Sequence, residues 1–193
     1  MPTRPTTADV RRLERLQARM EATSVREMRR VFRGMPSSTT PAQARDVLLE
    51  AFPALVDRYG DMAATLTAEW YEETRQRRSG RGTYAAVLAE AVDARVSEQN
   101  VRWAARHLFE DGDPTSTMRQ LEGAISRHVM DASRNTIIRN TNEDSASSGW
   151  YRQAEPDACE FCQMLAGRGS VYSRGSVDFE AHDNCRCEAL PEW

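Results

Sequence analysis

"TTPAQARDVLLEAFPALVDRYGDMAATLTAEW", residues 39–70, reads as one long helix with a marked beginning. Thr40 is a capping residue, Pro41 suits the first helical position, where a missing N–H costs nothing, and Gln43 completes a capping box with Thr40. From there Ala44, Leu48, Ala51, Leu55, Tyr59, Met62, Leu66 and Trp70 recur at steps of three and four, which sets them on one helix face. Pro53 removes a backbone donor and Gly60 weakens the run, so a kink or short break is expected there. "RQRRSGRG" (75–82) ends the pattern.

The same period extends to both sides. Val10, Leu13, Leu16 and Met20, then Val25, Met28 and Phe32, predict a helix from about Thr7 to Arg33, stopped by "GMPSSTTP" (34–41). A third helix is expected to begin near Tyr84, with Leu88, Ala91, Val92, Val101, Ala104 and Leu108 on its stripe, and to stop at "EDGDP" (110–114). Asp113 and Pro114 then open a fourth as cap and first residue, with Met118, Leu121, Ile125, Val129, Ala132 and Thr136 as its stripe. "NTNEDSASSG" (140–149) has the composition of a loop. The stripes are narrow and alanine-rich, which suits long helices packed pairwise or against sibling subunits. The fold expected is mainly α: an extended helical bundle over residues 1–140, a linker at 141–150, and a small zinc-stapled α+β domain at 151–193.

Composition narrows the function classes. Charged residues make up 28% of the 193 residues and aromatic ones 7%. All 26 basic residues are arginine, which we read as the codon usage of a GC-rich genome and not as a sign of nucleic-acid binding. The net charge is −3, so the whole chain is no polycation, but the charge is uneven. Residues 1–35 hold nine Arg against four acids, net +5, and residues 151–193 hold four Arg against eight acids, net −4. Different partners for the two ends are one reading, and a solvated helix face is the plainer one. A basic first helix of this kind suits DNA phosphates or an acidic protein surface. No apolar run approaches the roughly 20 residues of a membrane span. "MPTRPTTADVRRLERL" has no secretory h-region, so a reducing cytosol is expected, where cysteines serve as metal ligands more often than as disulfides.

All four cysteines lie in the last 35 residues. Their spacing is Cys159-x2-Cys162, nineteen residues, then His182-x2-Cys185-x-Cys187. A C-x2-C pair presents two thiolates to one ion from a tight turn, and a second pair from a distant segment completes a tetrahedron. Gly167, Gly169 and Gly175 supply turns in the insert, and Val171, Tyr172 and Val177 suit short strands. Five candidate ligands compete for four places. Cys159, Cys162, His182 and Cys185 are preferred, and Cys187 in place of His182 is the alternative. A closed four-ligand zinc site has no open position for water, so its default role is structural. A 43-residue segment this poor in apolar residues needs such a staple to fold.

Enzyme chemistries that reuse these cysteines fit less well. Zinc deaminases require an H-x-E upstream of their cysteine pair, but two residues after His107 stands Phe109, and after His128, Met130. An HNH-type metal-dependent nuclease, or another nucleic-acid-processing zinc protein, is the alternative reading that "HDN" (182–184) invites. It needs a further His downstream of His182, and the eleven residues that follow contain none. No phosphate-binding G-x-x-x-x-G-K loop is present.

The stretch "ACEFCQMLAGRGSVYSRGS…FEAHDNCRCEALPEW" resembles the C-terminal domain of MuF-like phage minor capsid, or head morphogenesis, proteins of the actinobacteriophage type. The likeness rests on Met164, Leu165, Ala166, Arg168, Gly169, Val171, Tyr172, His182, Cys185, Cys187 and Pro191 in that order, with Gly167 where the family has serine. "YGDMAATLTAEWYEETR" (59–75) and "ASRNTIIRN" (132–140) are similar to helical segments of the same proteins. The resemblance implies a virion component at the portal and head interior, assembled in the host cytoplasm in several copies. It would act in head assembly, DNA packaging or ejection, with the portal and other head or connector proteins as partners. No catalytic activity is general to that family, and the protease or toxin domains fused to some relatives have no counterpart in this length of chain.

Overall fold

The computed structural model describes residues 3–156, 158–169, 179, 181–183 and 185–193. Among them α1 (Thr7–Arg33), α2 (Pro41–Ser79), α3 (Ala94–Glu110) and α4 (Pro114–Glu143) carry most of the chain. A short α5 (Glu160–Ala166) and two strands, β1 (Gly149–Gln153) and β2 (Glu188–Glu192), complete it. The protein is mainly α-helical.

Local signals set the helix ends. Thr6 accepts from the Asp9 N–H and Asp9 reaches back to the Thr6 N–H, a capping box that opens α1. Thr40 and Gln43 do the same for α2, and Gly80 closes that helix at φ 61°, a left-handed position that suits glycine. Asp113 caps α4 through the N–H groups of Thr115 and Ser116.

Helix α2 runs without interruption through Pro53 and Gly60, against the expected break. One missing donor in a helix of 39 residues is outweighed by the packing of Phe52, Leu55 and Val56 around it. Its buried face is also shifted: Phe52, Ala63 and Thr67 point inward while Met62 is exposed.

The third helix starts ten residues later than its apolar pattern suggested. Residues 80–93 form an irregular strap, because side chains of α2 and α4 take up its backbone groups. Asn140 is fully buried and bonds both Val87 N–H and Val87 C=O at 2.8 Å. Glu72 accepts from the Ala86 N–H, Thr136 from the Ala89 N–H, and Arg75 donates to the Gly82 carbonyl.

The two strands pair antiparallel, with Gly149 opposite Glu192 and Trp150 opposite Pro191. In a two-stranded sheet each strand is an edge, which is where proline is tolerated. The sequence predicts strands elsewhere, at Val171, Tyr172 and Val177 with a turn at Gly175, and those positions fall outside the described residues. Thr3 and Trp193 exchange backbone hydrogen bonds, and Arg4 reaches Glu192.

Among the described residues two apolar clusters fill the interior. One gathers Met20, Met28, Leu48, Phe52, Tyr59, Val101, Leu121 and Ile125 between α1, α2, α3 and α4. The other joins Val10, Leu13, Trp70, Tyr71 and Ile137 of the helices to Trp150, Cys162, Cys187, Leu190 and Trp193 of the C-terminal segment. The described residues of the C-terminal segment thus complete one end of the bundle's core. Between the clusters lies a buried polar layer in which Gln17 donates to Ser133 and Glu188 at 2.7 Å, and Ser133 meets Thr67 at 2.6 Å. No helix among the described residues is long and apolar enough to cross a membrane.

Candidate metal centre

Cys159 stands just before α5, and Cys162 lies inside its first turn. The C-x2-C pair is therefore presented by a helix start, where the sequence suggested only a turn. The second donor group comes from the segment that leads into β2, where the Cys185 N–H bonds the His182 carbonyl in a turn. The structure brings all five candidates together. Cys159, Cys162 and His182 form one trio whose ligand atoms lie within 4.8 Å of one another, and Cys162, Cys185 and Cys187 form a second. Cys162 belongs to both.

Within each trio the separations approach those around a tetrahedral ion, while the four preferred donors are divided between the trios and are not all within 4.8 Å of one another. An ion that binds sulfur at about 2.3 Å holds its sulfurs roughly 3.7 Å apart. Cys162 Sγ and Cys185 Sγ are 3.7 Å apart, and His182 Nε2 lies 3.1 Å from Cys159 Sγ and 4.0 Å from Cys162 Sγ. His182 Nδ1 lies 3.0 Å from the Asp183 carbonyl, which can only accept, so Nδ1 carries the proton. Nε2 faces the thiols: in the chain alone it donates to the Cys159 sulfur, which raises the His182 pKa, and in the neutral ring its lone pair would be the one an ion takes.

The electrostatics sort the thiols. The contact with His182 lowers the Cys159 pKa to about 7, and the hydrogen bond from Cys187 lowers that of Cys185 to about 4. Burial pushes Cys162 up to about 11, and donation to Cys185 raises Cys187 further. Cys159 is exposed, whereas Cys162, Cys185 and Cys187 are buried. A cavity of about 430 Å³ adjoins the cluster, lined also by Glu21, Glu155 and Arg186.

The helical bundle holds this loop from beneath. Arg134 of α4 is fully buried and donates to the Cys187 carbonyl at 2.9 Å and the Cys185 carbonyl at 2.5 Å. Its third contact is Asp131, at 2.8 Å. About three turns further back on α4, Gly123 lets the loop come close: a Cβ there would sit 3.2 Å from the Asp183 side chain. Arg127 bonds the same Asp183. None of these three residues was marked by the sequence, since nothing separates Arg134 from 25 other arginines before the fold is known.

The remaining histidines stand outside both trios. His107 contacts Asp111 at 3.2 Å and Gln120 at 2.9 Å. His128 is buried edge-on to Phe52, and burial lowers its pKa to about 4.

Comparison with protein families matches residues 4–193 to the family described as VG15 protein. The chain belongs to the VG15 protein family. VG15 is a viral gene family of phage origin, so this is a phage-related protein. The matched span runs from the α1 cap to the last strand and takes in all five candidate donors. No curated protein and no solved structure matches the chain.

Proposed function

We propose that this VG15 protein is a structural, non-catalytic component of a tailed-phage head, of the MuF-like minor capsid kind. It sits at the portal vertex inside the virion and acts in head morphogenesis, DNA packaging or ejection. Its partners are the portal and other head or connector proteins, and it is present in several copies. The phage origin of the family and the C-terminal motif support this reading.

The observation that carries the structural role is the setting of the donor cluster. Three of its four thiols are buried in the core that α1, α2 and α4 share with the last strand. Arg134 fastens the loop's carbonyls to the bundle. Cys159, Cys162, His182 and Cys185 would hold the ion, and their soft thiolate and imidazole chemistry favours zinc. Zinc bound there would supply folding free energy, because its ligands converge only in the folded chain. Among the described residues no second histidine joins the cluster, so the nuclease reading gains no support.

The test is quantitative mass spectrometry of purified virions, with cross-linking. The proposal expects the chain in every particle at more than one copy, cross-linked to the portal. Particles that assemble, package and infect without it would contradict the proposal.

A further inference from the structure

The arginines of α1 divide into two groups. Arg12 is paired with Glu73, and Arg29 grips Glu122 with two bonds of 2.6 Å, so both are spent on neighbouring helices. Arg11, Arg15, Arg19, Arg26, Arg30 and Arg33 are all exposed, and none forms an ion pair among the described residues. Their steps of three, four and seven set all six on one face of the helix. The buried residues Val10, Leu13, Gln17, Met20, Ser24 and Met28 occupy the opposite face. At 1.5 Å per residue the stripe is about 33 Å long.

We infer that this stripe is a docking surface for the phosphate backbone of duplex DNA. Arginine-only usage explains why these residues are not lysine, but it does not explain their positions. The acids of α1, which are Asp9, Glu14, Glu21 and Glu27, all lie off the stripe, where they contact other elements or flank the core. Residues 1–35 are net +5 in a chain of net −3, so the remaining residues are net −8 and the positive charge is concentrated here.

The surface also lacks what other partners need. Protein interfaces are built around apolar and aromatic anchors, and α1 contributes none of the exposed large hydrophobic residues of the molecule. Single strands are bound by stacking on aromatic rings, and Ala18 and Ala22 are what lies between the arginines. A straight row of guanidiniums about as long as one turn of duplex suits phosphates, which carry no sequence information. The inference does not depend on the portal assignment, because DNA binding is read on the purified chain.

The experiment is fluorescence anisotropy of a labelled 30-base-pair duplex of arbitrary sequence, titrated with the full zinc-loaded chain at several salt concentrations. Six neutralised phosphates predict a slope of log K against log salt near −5, a loss of about a thousandfold between 50 and 200 mM salt. The triple variant Arg19→Gln, Arg26→Gln, Arg30→Gln should halve that slope. A control that removes as much charge elsewhere, Arg58→Gln, Arg95→Gln, Arg102→Gln, should leave it unchanged. Circular dichroism and metal content establish that each variant is folded. No binding at 50 mM salt, or equal losses in the two triples, would overturn the inference. So would displacement of the DNA by polyglutamate at equal charge, which would mark the stripe as a surface for acidic protein.

Discussion

Arg134 shows how much a single side chain can hold. Its fully buried guanidinium satisfies the carbonyls of Cys185 and Cys187 and pairs with the half-buried Asp131. Arg134→Gln would leave two buried acceptors short and one acid unpaired, at a cost of about 3–5 kcal/mol. It should also weaken zinc binding roughly ten- to a hundredfold, as loss of outer-shell support does. Arg134→Lys should recover only part, because one ammonium cannot span the two carbonyls as a planar fork does. Competition against a chelator of known affinity measures this. Asp9 is the second such residue. Burial works to raise its pKa, but bonds from Thr6, Arg77 and Arg78 prevail and lower it from 3.8 to about 2. A depressed carboxylate contributes stability that is present above its ordinary pKa and lost as pH falls through the folded one. Chemical denaturation should therefore show stability declining between pH 4 and 2, and Asp9→Asn should flatten that decline.

At the scale of elements, what was legible was what is locally encoded. The caps of α1, α2 and α4 are written in neighbouring residues, and those three helix starts are where the sequence puts them. The strap at 80–93 was not legible. Leu88, Ala91 and Val92 carry a helical spacing, but the backbone there is claimed by Glu72, Thr136 and Asn140, distant in sequence. The strands were missed for a like reason: each is five residues long and has meaning only beside the other. Asn140→Leu tests the account of the strap. It removes both bonds to Val87 and should cost about 2–3 kcal/mol. Trypsin should then cut rapidly at Arg81, while helical circular dichroism changes little. Unchanged resistance would mean that the strap is held by its apolar contacts instead.

At the scale of the molecule, the donor types could be read from spacing alone, but their support could not. The spacing marks Cys159, Cys162, His182, Cys185 and Cys187 as five candidates for four places on an ion, and the fold sets them in two trios that share Cys162. Only the fold shows that the same loop is anchored on α4 through Arg134, Gly123 and Arg127, and that its core is continuous with Val10, Leu13 and Trp70. The central claim is that one zinc, held by Cys159, Cys162, His182 and Cys185, closes this end of the bundle. Native mass spectrometry of the reduced chain and its single variants measures it most directly. The account predicts one zinc per chain, lost in Cys162→Ser and His182→Ala and kept in Cys187→Ser. Loss in Cys187→Ser with retention in His182→Ala would place Cys187 on the ion and contradict the assignment. A Cys159/Cys162 double variant that keeps its zinc would contradict the site altogether.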